Sequence, residues 1–144
     1  MNITKFLETF DDCKLEGDKI VVKDRLHDAI LISKTDYSFD ILKDITAVDR
    51  GDTGIELTYH LYSTVNEEDL LISVFAKDEA ESISDIFNSA IADECEIYDM
   101  FGINFPNNKH LKRLYMPESW DGFPLRKDYI EKDERLAWND DNNA

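Results

Sequence analysis

Hydrophobic positions near the start of the chain predict two helices separated by a strand. Apolar residues at i, i+3, i+4 and i+7 predict a short N-terminal helix; they are Ile3, Phe6, Leu7 and Phe10. Gly17 should end this unit, and the β-branched run at 20–22 predicts a strand. Asp24 is the expected N-cap of a second helix, which should end before a loop at 35–38. The buried side of that helix should carry Leu26, Ala29 and Ile30.

The next part of the chain carries strand patterns. Residues 41–48 have a mixed pattern that predicts a strand with Ile45 and Ala47 on one side. Four apolar residues then alternate with polar ones, which predicts one buried face and one face in water; they are Ile55, Leu57, Tyr59 and Leu61. Glu56 is therefore expected to face solvent. Residues 70–76 are apolar on both faces and should pair with this strand as a hairpin.

A third helix is predicted from Ser82, where a Ser-x-x-Asp spacing resembles a capping box. Its apolar stripe comprises Ile83, Ile86, Phe87, Ala90 and Ile91, and would continue to Ile97, Tyr98 and Phe101. Glu94 interrupts this stripe. If buried, it should meet a cation or backbone donors, and Arg113 and Arg126 are the best internal candidates. Periodicity equally allows the helix to fray near Asp93, which would leave the acids solvated.

The composition changes after residue 100. The three prolines exclude a continuous helix there. Residues 109–127 hold five basic and two acidic residues, whereas the rest of the chain holds 11 basic and 30 acidic ones. Seven of the 16 aromatic residues lie at 98–129, too many for a solvated loop. We therefore predict a compact domain at 1–106 and an extended arm at 107–144 with a frayed end. Residues 107–129 of this arm are called the ribbon.

The overall composition limits the function classes. With 16 basic and 32 acidic residues, the net charge of −16 repels nucleic acids and anionic lipid surfaces. No apolar run approaches the ~20 residues needed to cross a bilayer, so a soluble, non-exported protein is expected. Cys13 and Cys95 form no Cys-x-x-Cys pair, which fits a reducing, cytoplasmic compartment. The spacing of the histidines and glycines indicates neither a metal site nor a phosphate-binding loop.

Two neighbouring runs form a dense motif. The first holds Glu94, Glu96, Asp99, Phe101, Gly102 and Phe105. The second holds Lys112, Arg113, Pro117, Trp120, Gly122, Pro124, Leu125, Arg126, Lys127, Asp128 and Tyr129. Together they closely resemble the signature of the 30-kDa subunit of proton-pumping NADH:quinone oxidoreductase, which is respiratory complex I. These signature residues are then expected to bind a partner subunit.

Four positions depart from the family's usual residues. Cys95 stands where Arg is usual, Asn108 lies near a usual His, Phe123 replaces His and Ile130 replaces Pro. Contacts made through those side chains are expected to differ. Related chains also occur in reduced-F420 (F420H2) dehydrogenases and in membrane-bound nickel–iron hydrogenases or formate hydrogenlyases. The short length of this chain is compatible with those complexes as well.

The resemblance implies an α+β fold, a mixed, largely antiparallel β-sheet packed against helices, with an extended C-terminal arm and no cofactor. It implies a structural role in the peripheral arm of a complex that passes electrons from NADH to quinone and couples this to ion translocation. The implied partners are the large hydrogenase-like subunit, of the 49-kDa type, and iron–sulfur subunits. The complex would place the chain on the inner face of the cell membrane.

Two other function classes remain open. In a free-standing enzyme, Glu94, Glu96 and Asp99 would bind a hard cation or act as an acid–base pair. A soluble adaptor outside bioenergetics would explain the ribbon, whose aromatic and basic composition is typical of an interface, but not the signature. We expect the ribbon to be mobile without its partner, with Trp120 and Tyr129 as anchors. The alternative is that it packs on its own acidic domain.

Overall fold

The computed structural model describes residues 3–10 and 13–130, which form three helices and one five-stranded sheet. In chain order the elements are α1 (Ile3–Thr9), β1 (Cys13–Glu16), β2 (Lys19–Val22), α2 (Leu26–Tyr37), β3 (Ile41–Asp49), a 3-10 turn (Gly51–Thr53), β4 (Ile55–Ser63), β5 (Glu68–Ala76) and α3 (Ala90–Phe101). The strand order is β1-β2-β5-β4-β3, with β2 and β5 parallel and the other neighbours antiparallel. The predicted mixed, largely antiparallel α+β fold is confirmed. None of the helices in the described ranges is long and apolar enough to span a membrane.

One face of the sheet forms the core. The alternation in β4 holds, because Leu57, Tyr59 and Leu61 are fully buried. They join a single cluster that also includes Phe6 of α1 and Ile30 of α2. The predicted β4–β5 hairpin is present, with a continuous register from Ile55 opposite Ala76 to Ser63 opposite Glu68.

Strand β1 has no counterpart in the sequence pattern. It pairs with β2 through a tight turn in which Gly17 adopts φ +63°. Cys13 is half-buried and the other three residues of the strand are exposed. Cys13 and Leu15 do alternate with Lys14 and Glu16, but four residues are too few to predict a strand, and Leu15 is 46% exposed.

Helix α2 differs from the prediction at both ends. Its N-cap is Arg25 rather than Asp24, and the N–H of Leu26 donates to Glu81 Oε1 at 3.1 Å. The predicted loop at 35–38 is wrong, because the helix continues through Tyr37. That ring lies 5.6 Å from the ring of Phe6 in α1, and this tertiary contact adds to the marginal stability of the polar last turn.

Helix α3 begins at Ala90, eight residues after the predicted start at Ser82. Residues 84–86 form an isolated turn closed by the N–H groups of Ile86 and Phe87 on the Ile83 carbonyl. Ile83, Ile86 and Phe87 are buried as expected. The apolar spacing therefore predicted the buried residues correctly. It did not distinguish one continuous helix from a turn that is followed by a shorter helix.

Glu56 corrects the expectation that the polar face of β4 is in water. It is 3% exposed and lies in an ion cluster with Lys19 and Arg50. The Arg50 Nη2 to Glu56 Oε1 distance is 2.9 Å. Long basic side chains can cover a carboxylate while their heads stay partly solvated. Burial raises the pKa of Glu56, but the hydrogen bonds from Lys19 and Arg50 outweigh it and leave the pKa below its ordinary value.

Candidate partner-docking site

Helix α3 continues through the acidic part of the motif. Glu94 lies within it and is 0% exposed, so the alternative that the helix frays near Asp93 is wrong. Its carboxylate accepts hydrogen bonds from Ser82 Oγ (2.7 Å), the Ile83 N–H (2.9 Å) and Asn108 Nδ2 (2.9 Å). Burial raises the pKa of Glu94, and these three donors oppose that shift only in part.

Neither of the two candidate arginines pairs with Glu94, whereas the predicted alternative of a backbone donor is confirmed by the Ile83 N–H. The partners of Glu94 are neutral, and Arg113 instead donates from Nε to Asp99 Oδ1 at 2.8 Å. Arg126 donates to the Phe101 carbonyl at 2.9 Å. Glu94 and Asp99 are five positions apart, which places them about 140° apart around a helix. They therefore face different surroundings: Glu94 meets the start of the ribbon at Asn108, and Asp99 meets residues 113–116.

Asp99 is the most heavily bonded carboxylate of the motif. It is fully buried, and its Oδ2 accepts three successive backbone N–H groups, from Leu114 (3.1 Å), Tyr115 (2.6 Å) and Met116 (3.1 Å). Burial raises the pKa of the Asp99 carboxyl, but Arg113 and these N–H groups outweigh it and hold the pKa below its ordinary value. Asp99 thus fixes the backbone of the ribbon at this point.

Arg113 closes the next part of the ribbon into a loop. Its Nη1 donates to the Trp120 carbonyl and its Nη2 to the Gly122 carbonyl, both at 2.7 Å. The guanidinium carbon lies 4.9 Å from the centroid of the Phe123 ring. Together with the bond to Asp99, these contacts leave the Arg113 side chain 8% exposed. A planar fork of donors suits this arrangement, and a lysine could not reproduce it.

The ribbon also caps the end of α3. The last four carbonyls of a helix have no partner within it, and here each one accepts a hydrogen bond. The Tyr98 carbonyl accepts from the Gly102 N–H, and the Asp99 carbonyl accepts from the Arg113 guanidinium. The Met100 carbonyl accepts from the Leu125 N–H, and the Phe101 carbonyl accepts from the Arg126 guanidinium. Three of the four donors belong to the ribbon. Its contacts are those expected if it packs on its own domain, whereas its mobility and its role as a separate arm stay predictions. The predicted frayed end lies outside the described residues.

Gly102 permits the close approach of the ribbon. It ends α3 with φ +74°, and a Cβ at this position would lie 2.6 Å from the Phe123 ring. Phe123 is one of the positions that depart from the family's usual residue, and it packs against this glycine. Asn108 is another such position, and its amide supplies one of the donors to Glu94.

Several signature residues are exposed along the ribbon. Leu125 is 57% exposed, and Lys112, Pro117, Lys127 and Asp128 are also exposed. Trp120, Pro124 and Tyr129 are half-buried, whereas Phe101 and Phe105 are buried in the domain. Tyr115, which is not a signature residue, is 65% exposed although its N–H is bound to Asp99. The most exposed aromatic of the ribbon is therefore Tyr115, not Trp120 or Tyr129.

The acidic residues of the motif do not form one site. Glu94 and Asp99 bind separate sets of donors, and Glu96 is exposed. Within residues 3–10 and 13–130, no group of three or more His, Cys, Asp or Glu side chains could hold a metal ion. The shared cation site or acid–base pair that the enzyme hypothesis requires is therefore not assembled by these three residues.

Sequence reasoning missed three parts of this arrangement. Ser82 resembles a helix cap in the sequence, although its hydroxyl donates to Glu94. Asn108 stands out in the sequence only as a departure from the family pattern. The backbone N–H groups of 114–116 carry no side-chain signal at all. The proline spacing, which excludes a helix in the ribbon, was the one available sign that those N–H groups needed other partners.

Comparisons with known proteins agree on one family. The sequence model for the 30-kDa subunit of respiratory-chain NADH dehydrogenase matches residues 20–135. The chain is 36% identical over 112 residues to the C/D subunit of NADH-quinone oxidoreductase from Phocaeicola vulgatus, covering 75% of this chain and 22% of that protein. It is 40% identical over 111 residues to the chloroplastic J subunit of NAD(P)H-quinone oxidoreductase from Sorghum bicolor, covering 72% of this chain and 70% of that protein.

A solved structure shares the fold. It is a chain of the membrane-bound sulfane sulfur reductase, an archaeal respiratory membrane complex, with a TM-score of 0.75 and 23% identity. The match covers 97% of this chain and 88% of that one. The chain spans less than a quarter of the Phocaeicola vulgatus protein and most of the chloroplast one.

Proposed function

Because the chain belongs to the family of the 30-kDa subunit of respiratory-chain NADH dehydrogenase, we propose that it is a structural subunit of a complex I-type NADH:quinone oxidoreductase. In this role it holds no redox centre. It docks on the large hydrogenase-like subunit in the peripheral arm and supports electron transfer from NADH to quinone, which the complex couples to ion translocation. It associates with the inner face of the membrane through the complex.

The observation that carries this proposal is the exposed face of the ribbon. Residues 109–127 combine five basic side chains with large apolar ones in a chain of net charge −16, and three of the basic ones, Lys109, Lys112 and Lys127, are exposed. Tyr115 and Leu125 are 65% and 57% exposed, while their backbone N–H groups are held by α3. Aromatic and basic residues are enriched at protein interfaces. The charge of this face fits an acidic groove on the large subunit.

Co-purification from membranes tests the proposal. A tagged chain, expressed in its native host and extracted in mild detergent, should bring down the large hydrogenase-like subunit in a one-to-one ratio by mass spectrometry. The isolated complex should then oxidise NADH with a quinone as acceptor. Oxidation of reduced F420, formate or hydrogen instead would assign the chain to the related complexes, and a chain that purifies alone would contradict the proposal.

Matched variants test the ribbon itself. Tyr115→Ala and Lys112→Glu should reduce the yield of the large subunit. Val65→Ala and Lys23→Glu are the controls, because Val65 is 73% exposed in the turn between β4 and β5 and Lys23 is exposed after β2. Equal yields from all four variants would place the docking surface elsewhere.

A further inference from the structure

We propose that Asp99 and Arg113 are positioning residues that fold residues 113–123 into a rigid loop before the partner binds. The partner then docks on a preformed surface instead of ordering a mobile arm. This inference rests on the proposed function, because it assumes that the ribbon is the docking surface. It specifies how that surface is made and which chemistry it leaves for the partner.

The hydrogen bonds to Asp99 hold the backbone of the loop, whereas two apolar side chains of the loop stay exposed. Asp99 accepts the N–H groups of three consecutive residues, 114–116, so the backbone there is fixed from inside the domain. Leu114 and Tyr115 nevertheless remain 42% and 65% exposed. A segment whose backbone is held inward while its apolar side chains point outward has the form of a preorganised binding loop.

The loop is also closed at its far end. Arg113 donates to the carbonyls of Trp120 and Gly122, so one side chain joins the first residue of the loop to its last turn. Gly122 adopts φ +94°, a conformation that favours glycine. Both ends of the loop therefore depend on a guanidinium that is itself held by Asp99.

Capping of α3 opposes release of the ribbon. If the ribbon left the domain to wrap a partner, the carbonyls of Asp99, Met100 and Phe101 would lose their donors. Buried backbone acceptors are rarely left unpaired. The partner is therefore expected to bind over the ribbon.

The same arrangement defines the chemistry of the partner surface. Because Arg113 is neutralised by Asp99, the positive charge available outside comes from exposed lysines, Lys109 and Lys112 near the loop. The exposed large apolar side chains of the loop are Leu114 and Tyr115, and Leu125 lies just beyond it. The complementary surface on the large subunit is an apolar depression with carboxylates only on the side that faces Lys109 and Lys112, because the loop itself carries two exposed acids, Glu118 and Asp121.

Hydrogen exchange on the full-length free chain tests the loop. We expect residues 113–123 to be protected in the wild type and unprotected in Asp99→Asn and Arg113→Lys, with β4 and β5 protected in all three. Asp85→Asn is the control, since Asp85 is an exposed carboxylate paired with His27. If Asp99→Asn does not fold, Gly122→Ala opens the same loop from its other end, because its Cβ would lie 3.0 Å from the Tyr129 ring. An unprotected loop in the wild type would overturn the inference.

The rate at which labelled chain dissociates from the purified complex tests whether Asp99 acts by positioning the loop. Asp99→Asn and Tyr115→Ala should each speed dissociation about tenfold, and the double variant should also show about tenfold, because residues that act through one another are not additive. A hundredfold effect of the double variant would assign Asp99 a merely structural role and overturn the inference. If Tyr115→Ala has no effect, the proposed docking surface itself fails; if only Asp99→Asn has none, the surface stands and the positioning role fails.

Discussion

Replacing Glu94 by alanine should destabilise the domain, and the structure allows the size of the effect to be worked out. The change removes the acceptor of Ser82 Oγ, the Ile83 N–H and Asn108 Nδ2, of which the first keeps a contact to Ser84 Oγ at 2.8 Å and the last keeps the Ile91 carbonyl at 3.4 Å. The two side chains can partly reorient, but the backbone N–H cannot. Each buried donor left unpaired costs about 1–3 kcal/mol. The substitution also removes the free-energy cost of burying the Glu94 carboxylate, and this offsets part of the loss. We expect a net loss of about 3 kcal/mol in the free energy of unfolding.

Thermal and urea unfolding of the isolated chain measure this loss. For a domain of this size, about 3 kcal/mol corresponds to a fall of roughly 10 °C in Tm. Glu96→Ala is the matched control, because Glu96 lies two residues away on the same helix and is exposed. Its effect should stay within about 0.5 kcal/mol. Equal midpoints for the two variants would refute the account of Glu94 as a buried, satisfied carboxylate.

The pH dependence gives a second check on Glu94. Burial raises its pKa in the folded state, so the folded state binds its proton more tightly than the unfolded state does. The stability gained from this is complete below the unfolded pKa of about 4.3 and is lost as the pH rises through the folded pKa. Glu94→Gln lacks this dependence. The stability difference between wild type and Glu94→Gln should therefore be largest near pH 4 and shrink toward neutral pH, and a difference that grows instead would contradict the assignment.

Three further predictions follow from other positions. Glu56→Ala should cost about 1–3 kcal/mol at pH 7 by urea unfolding, because Lys19 and Arg50 lose their shared acceptor but stay partly solvated. Since these two residues lower the pKa of Glu56 against the effect of burial, the loss should fade as the pH falls through the folded pKa, and a null effect at pH 7 would contradict it. Gly102→Ala should cost about 1–3 kcal/mol through backbone strain and contact with Phe123, and failure of Phe123→Ala to reduce that cost in the double variant would count against the contact. The isolated chain should be colourless, and visible absorbance or one equivalent of iron or zinc after a chelator wash would oppose the scaffold role.

Patterns confined to one element were predicted well from the sequence. The alternation in β4 and the apolar run of β5 identified a hairpin, because successive side chains of a strand point to opposite faces whatever surrounds them. The stripe through α3 correctly implied that Glu94 is buried if the helix continues. The basic and aromatic composition of the ribbon marked it as distinct, and the motif at 94–129 identified the family.

Features that depend on two distant segments were decided only by the tertiary structure. Glu56 is buried because Lys19, 37 positions away, reaches it across the sheet, and no local pattern reports that contact. Arg113, one candidate partner of Glu94 in the sequence, pairs with Asp99 instead, because composition supplies the charges and only the folded backbone fixes which two meet. The capping of α3 by the ribbon was not predicted either, since the acceptors are backbone carbonyls that every residue carries and the sequence does not show which donors reach them. The sequence by itself determined which faces are apolar and where charge accumulates, whereas pairing between segments followed from three-dimensional distances that exist only in the fold.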